Sequence, residues 1–142
     1  MTRSIPGIAV SGIATVVLLA LVAGSTPAAH AEGDKVTPLR TEKLPNVPGK
    51  SLTAVVVNYA PGGKSTSHHH AGSVMAYVLT GQIRSENSAT GPARVYKAGE
   101  SFFEPPGSEH LVSENASTTE PASLLAIFVA DDGAQLTTFE KK

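Results

Sequence analysis

Two kinds of apolar stretch run along this chain, and they predict different things. The first is one continuous run from Ile8 to Val22, with a Val-Val-Leu-Leu-Ala-Leu centre. The second is a series of short, β-branched segments separated by turn residues. Ser51 to Tyr59 is ended by Ala60-Pro61-Gly62-Gly63, and Val74 to Thr80 is closed by Gly81. Gln82 to Glu86 continues beyond Gly81 and reads as the hairpin partner of that strand. Ala93 to Lys97, Ser101 to Glu104, His110 to Ser113 and Ser123 to Val129 complete the set. No amphipathic helical period interrupts them, so the pattern predicts an all-β sandwich or barrel. Glu32 to Lys50 is polar, with Pro38, Pro45 and Pro48, and reads as a linker or edge segment with one short strand at Lys35 to Arg40. Ala134 to Phe139 fits either a last strand or a short helical turn.

The first run has the layout of a secretory signal peptide. Arg3 supplies the positive start, and Ala29-His30-Ala31 offers the small-x-small pattern that signal peptidase reads. Cleavage is expected after Ala31, giving an exported (periplasmic or secreted) chain from Glu32 that no longer touches the membrane. An uncleaved anchor is the alternative, although Ile8 to Val22 falls short of the roughly 18–20 residues of a span. The chain thus divides into a signal peptide over 1–31, a polar segment over 32–50 and one folded domain over 51–142. Its 142 residues leave no room for two domains.

Composition narrows the chemistry. The formal net charge of −1 carries no basic excess of the kind that marks a nucleic-acid partner. Cysteine is absent, so disulfides, a lipoprotein anchor and thiolate ligation are all excluded. No twin-arginine pair is present, so the chain is expected to cross the membrane unfolded and take up any metal afterwards. A metal site here must be built from His, Asp, Glu or backbone oxygen.

Four of the five histidines fall after residue 31, as His68-His69-His70 and His110. In a strand, side chains alternate between faces, so His68 and His70 point the same way and His69 the other. Two imidazoles on one face can converge on a single ion at about 2.0–2.1 Å per bond. His110 follows the turn Pro105-Pro106-Gly107, and would supply a third ligand if its strand lay across the barrel. Gly62, Gly81, Gly99 and Gly107 read as turn formers. Asn115-Ala116-Ser117 matches an N-glycosylation site, a weak signal beside a bacterial-looking leader.

The residues around these histidines resemble the two signature motifs of the cupin family. The first motif is Gly62, five residues, His68-His69-His70, a short gap and then Gly81. The second is Gly99, five residues, Pro105-Pro106-Gly107, two residues, His110 and then Asn115. The resemblance implies a single-domain jelly-roll β-barrel. It also implies one divalent transition metal on His68, His70 and His110, and a homodimer formed through sheet edges. One departure stands out. The carboxylate expected four or five residues after His70 is missing, for Val74 and Met75 occupy those places. A replacement from elsewhere stays open, with Glu104 the nearest choice.

Three neutral imidazoles leave the ion's double positive charge uncompensated, which favours an anionic substrate such as an enolate or carboxylate. The pattern resembles the three-histidine dioxygenases, among them the acetylacetone-cleaving and thiol-oxidising enzymes, and so implies ferrous iron. The acetylacetone-cleaving enzyme has a Glu at the offset of Glu104, six residues before His110. There Glu104 would be the catalytic carboxylate, hydrogen-bonding a metal-bound water or taking a substrate proton. Val74, Met75, Tyr77 and Phe103 are candidates for the pocket wall, although alternation lets only some of them face inward. Two other readings fit the same residues. One is a zinc, nickel, manganese or copper site, including enzymes of isomerase or hydrolase type. The other is a non-catalytic metal- or ligand-binding protein.

Overall fold

In the computed structural model residues 34–140 are described, and the predicted signal peptide lies outside them. Ten strands follow one another: β1 (Lys35–Lys43), β2 (Lys50–Tyr59), β3 (His68–His70), β4 (Ser73–Thr80), β5 (Gln82–Asn87), β6 (Gly91–Lys97), β7 (Ser101–Glu104), β8 (Glu109–Asn115), β9 (Ala122–Asp131) and β10 (Thr137–Phe139). They form two five-stranded antiparallel sheets, ordered β1-β2-β9-β4-β7 and β10-β3-β8-β5-β6. The fold is the all-β barrel that the alternating segments predict.

The first sheet is organised by β2 and β9, which pair in unbroken register from Lys50↔Asp131 to Tyr59↔Ala122. Every second residue turns inward, so Val55, Val57 and Tyr59 meet Leu124, Ala126 and Phe128 in the core. Val74 and Val78 of β4 and Ile83 of β5 are wholly buried among them. The inner face of the second sheet is polar by comparison. It buries Ser85, Asn87, His110, Ser113 and Asn115, and each of these needs a partner. Tyr59 bridges the two sheets, its Oη lying 2.7 Å from Ser113 Oγ and 2.9 Å from Ser65 Oγ. Burial pushes the Tyr59 phenol up to about 12, so it stays protonated.

The polar segment joins the first sheet as an edge strand. β1 runs to Lys43, longer than the short strand expected, and is exposed along its whole length. Its register shifts between Pro38 and Arg40, where the proline has no N–H to give the ladder. At the other end, Ala134–Phe139 ends as a strand: β10 pairs Thr137 with His70 and Phe139 with His68.

One expectation is corrected. β4 and β5 do not form a hairpin, since β4 pairs with β9 and β7 while β5 pairs with β6 and β8. The register of β4 slips between Val78 and Thr80, and Gly81 follows with φ +69°. Together they turn the chain from one sheet into the other, as strand-switching corners do. Asn115 is also corrected as a glycosylation site. Its amide is buried and donates to the carbonyls of Ala60 at 3.1 Å and Glu120 at 2.7 Å.

Candidate metal centre

β3 lies beside β8, and His68 is the direct cross-strand partner of His110. The third histidine therefore comes from the neighbouring strand of the same sheet and not from across the barrel. Alternation does the rest. His68, His70 and His110 are buried, while His69 points outward, 3.1 Å from Glu140 Oε1. One ring nitrogen from each buried histidine lies within 4.8 Å of those of the other two.

The backbone sets which nitrogens face inward. His68 Nδ1 stands 2.7 Å from the carbonyl of Thr66, and His70 Nδ1 stands 3.1 Å from the carbonyl of Leu136. A carbonyl only accepts, so each Nδ1 carries the proton and each Nε2 presents its lone pair. Burial lowers the pKa of both rings, which keeps them neutral and available as ligands. His110 is held differently. Its Nε2 lies 2.8 Å from Ser85 Oγ, while its buried Nδ1 has no hydrogen-bond partner. An orphaned imidazole nitrogen next to two presented lone pairs fits a divalent ion that accepts all three.

Glu104 reaches this cluster from the opposite sheet, and is 3% exposed. Its Oε2 is 2.9 Å from His110 Nδ1, off the line of a hydrogen bond, and 3.8 Å from His70 Nε2. Burial pushes the Glu104 carboxyl up, and it falls below the usual carboxylate range only through its contact with His110 and positive charge on His110, His70 and His68. Among the described residues no Lys or Arg pairs with it. A buried carboxylate beside neutral rings lacks a counter-charge, and a cation would supply one.

The histidines stand at one side of a cavity of about 200 Å³ whose wall is mostly apolar. Of the four predicted wall residues, only Val74 lines it. Met75, Tyr77 and Phe103 are 45%, 41% and 50% exposed on the outer face of the first sheet. The period of two decides this: buried Glu104 sends Phe102 inward and Phe103 outward, and buried Val74 and Ala76 send Met75 and Tyr77 outward. Phe102, Val55, Val57, Ala126 and Phe128 form the wall that sequence reasoning missed. For Phe102 a signal existed, since it lies two residues from Glu104. The contribution of β2 and β9 follows from sheet order, which the sequence does not state.

The family profile described as "Cupin domain" matches residues 55–128, spanning both histidine strands and Glu104. The chain belongs to the cupin family. This cupin is 32% identical over 100 residues to germin-like protein subfamily 2 member 2 of Arabidopsis thaliana, which covers 68% of the chain but only 45% of that protein's length. A double-stranded β-helix protein from Klebsiella pneumoniae superposes with a TM-score of 0.59 at 22% identity, covering 78% of this chain and 86% of that one. An oxalate oxidase solved with the substrate analogue glycolate superposes equally well, with a TM-score of 0.59 at 25% identity, covering 81% and 57%.

Proposed function

We propose that this cupin is an exported, iron-dependent small-molecule oxygenase. Its substrate would be compact and largely apolar, with one oxyanion, such as an enolate, to set against the metal. The observation that carries the reading is a buried group of three imidazoles opening into an apolar cavity with no Lys or Arg among its described lining residues. A bound ferrous ion would supply the redox chemistry with dioxygen. The chain supplies the rest. Thr66 and Leu136 hold two imidazoles in the ligating tautomer, while Phe102 and Phe128 keep water from the site. Incorporation of both atoms of dioxygen needs no outside reductant, so the reaction balances on substrate and dioxygen alone.

The same wall argues against dianions. Glu104 and Asp34 are the charged side chains lining the cavity, and both are acidic. A dicarboxylate such as oxalate would meet two like charges and no cationic side chain, so this pocket is expected to depart from the substrate preference of the oxidase it resembles. The test is metal analysis of the protein exported through its own leader, followed by dioxygen uptake. Near-stoichiometric iron, with uptake on an apolar β-diketone and none on oxalate, is the expected result. Stoichiometric zinc, nickel, manganese or copper without uptake would overturn the oxygenase reading. It would move the site to metal-hydroxide chemistry or to binding alone.

The chain is also proposed to pair with a second copy of itself. Met75, Tyr77, Leu79, Phe103 and Val129 leave an apolar patch on three adjacent strands of the first sheet. A patch of uncharged side chains meets its own copy without repulsion, and a soluble monomer rarely leaves such a face open. Light scattering should report a dimer, and Phe103→Glu should make it monomeric with metal binding retained. A wild-type monomer at micromolar concentration would refute the pairing.

A further inference from the structure

We infer that Glu104 is the fourth protein ligand of the metal, supplied from β7 in place of the carboxylate that other cupins carry on β4. The inference rests on the metal reading of the three histidines and adds a residue to it.

The argument starts from the register. Val74 stands where the family motif has its carboxylate, with six residues between it and Gly81. In the β4–β7 ladder, Val74 is the direct cross-strand partner of Glu104. Partners on one rung project from the same face of the sheet, with Cβ atoms about 4.5–5.5 Å apart. Both of these face inward, Val74 at 0% and Glu104 at 3% exposure. A carboxylate moved from one side of this rung to the other therefore stays at the same side of the cavity. The sequence departs from the motif, yet the acid has shifted by one strand only.

Distances agree with ligation. Two donors about 2.1 Å from one ion stand about 3 Å apart when at right angles, and somewhat farther apart at wider angles. Glu104 Oε2 lies 2.9 Å from His110 Nδ1 and 3.8 Å from His70 Nε2. The shorter contact is not a hydrogen bond, for Nδ1 has no hydrogen-bond partner. A lone pair and a carboxylate oxygen set side by side repel one another unless a cation lies between them. The other polar neighbour of Oε2 is Asn87 Nδ2, at a long 3.5 Å, and that amide also donates to Ser108 Oγ at 3.0 Å. Asn87 steers the carboxylate without neutralising it.

Cobalt(II) is the probe, because its visible spectrum reports its ligands. Wild type, Glu104→Val and the exchanged pair Val74→Glu/Glu104→Val would each be titrated with cobalt, with folding followed by circular dichroism. Loss of a carboxylate that only orients other ligands weakens metal affinity about 10–100-fold. Loss of a ligand is expected to exceed this range and to shift the cobalt bands. The exchanged pair is expected to recover wild-type affinity within about tenfold, with the wild-type spectrum. Glu104→Gln, of the same shape, replaces the valine variant if that one does not fold. Cobalt binding within a fewfold of wild type, with unaltered bands, in Glu104→Val overturns the inference. A folded exchanged pair that stays weak overturns it as well. A wild-type protein that binds no cobalt would instead sink the metal reading itself, so the two failures are separable.

Discussion

His110→Ala is expected to leave a folded protein that holds no metal, with affinity lowered by about a thousandfold or more. Three features set this size. His110 is the partner of His68 on the adjoining strand, so its loss leaves two histidines of one short strand on one side of the ion. It is 3% exposed, and among the described residues no other imidazole stands ready to replace it, since His69 points outward. Its Nδ1 is the ring nitrogen that no hydrogen bond uses, so the imidazole is not simply a satisfied core residue. The metal-free variant should lose about 1–2 kcal/mol, since Ser85 Oγ is left without the imidazole it touches. The sharper signature is linkage. Metal at a thousand times its dissociation constant stabilises wild type by about 4 kcal/mol, so its melting temperature rises with added metal, and that of the variant does not. His69→Ala is the control, because that ring points outward to Glu140 and should bind metal as wild type does. Stoichiometric metal in His110→Ala, measured by mass spectrometry beside the control, would show that the three-histidine centre is misassigned.

The contrast between His69 and its neighbours shows how the sequence carries this site. The period of two assigns each histidine its face before any sheet is drawn, and the structure follows it at all three. The turns were legible for a related reason. Gly62, Gly81, Gly99 and Gly107 all adopt positive φ, a conformation that other residues avoid. What alternation does not encode is which strand lies beside which. Val74 to Thr80, Gly81 and Gln82 to Glu86 have the local pattern of a hairpin, and only the packing of both sheets sends the second segment to β6 and β8. The same gap hid the position of His110 next to His68. It also hid the carbonyls of Thr66 and Leu136, since backbone groups leave no mark in a residue pattern. Phe102 and Phe103 are an intermediate case: parity separates them once Glu104 is known to be buried, and burial of an acid is not an expectation a sequence offers.

That strand-switching corner carries the second large effect, an expected loss of about 3 kcal/mol or more in the metal-free protein on Gly81→Ala. Two costs combine there. Gly81 has φ +69°, where a Cβ costs about 1–2 kcal/mol. A Cβ at this position would also stand 2.7 Å from the carbonyl oxygen of Pro121, just before β9, and 2.9 Å from Cα of Ala122, the first residue of β9. Backbone in a paired strand cannot step aside as a flexible side chain would, so the corner or the β9 register must shift. Gly62 separates the two costs, since it has the same φ of +69° but open space where its Cβ would be. Gly62→Ala should therefore pay for the conformation alone, about 1–2 kcal/mol. Asparagine tolerates this region of φ better than alanine does, so Gly62→Asn should be nearly neutral, while Gly81→Asn should stay strongly destabilised. Denaturant unfolding of the four variants decides the matter. Equal losses at the two glycines would mean that the chain turns at Gly81 without leaning on β9, and that the crossing between sheets is held elsewhere. A much larger loss at Gly81 would place it in the close approach of that corner to Pro121 and Ala122, where β4 gives way to β5.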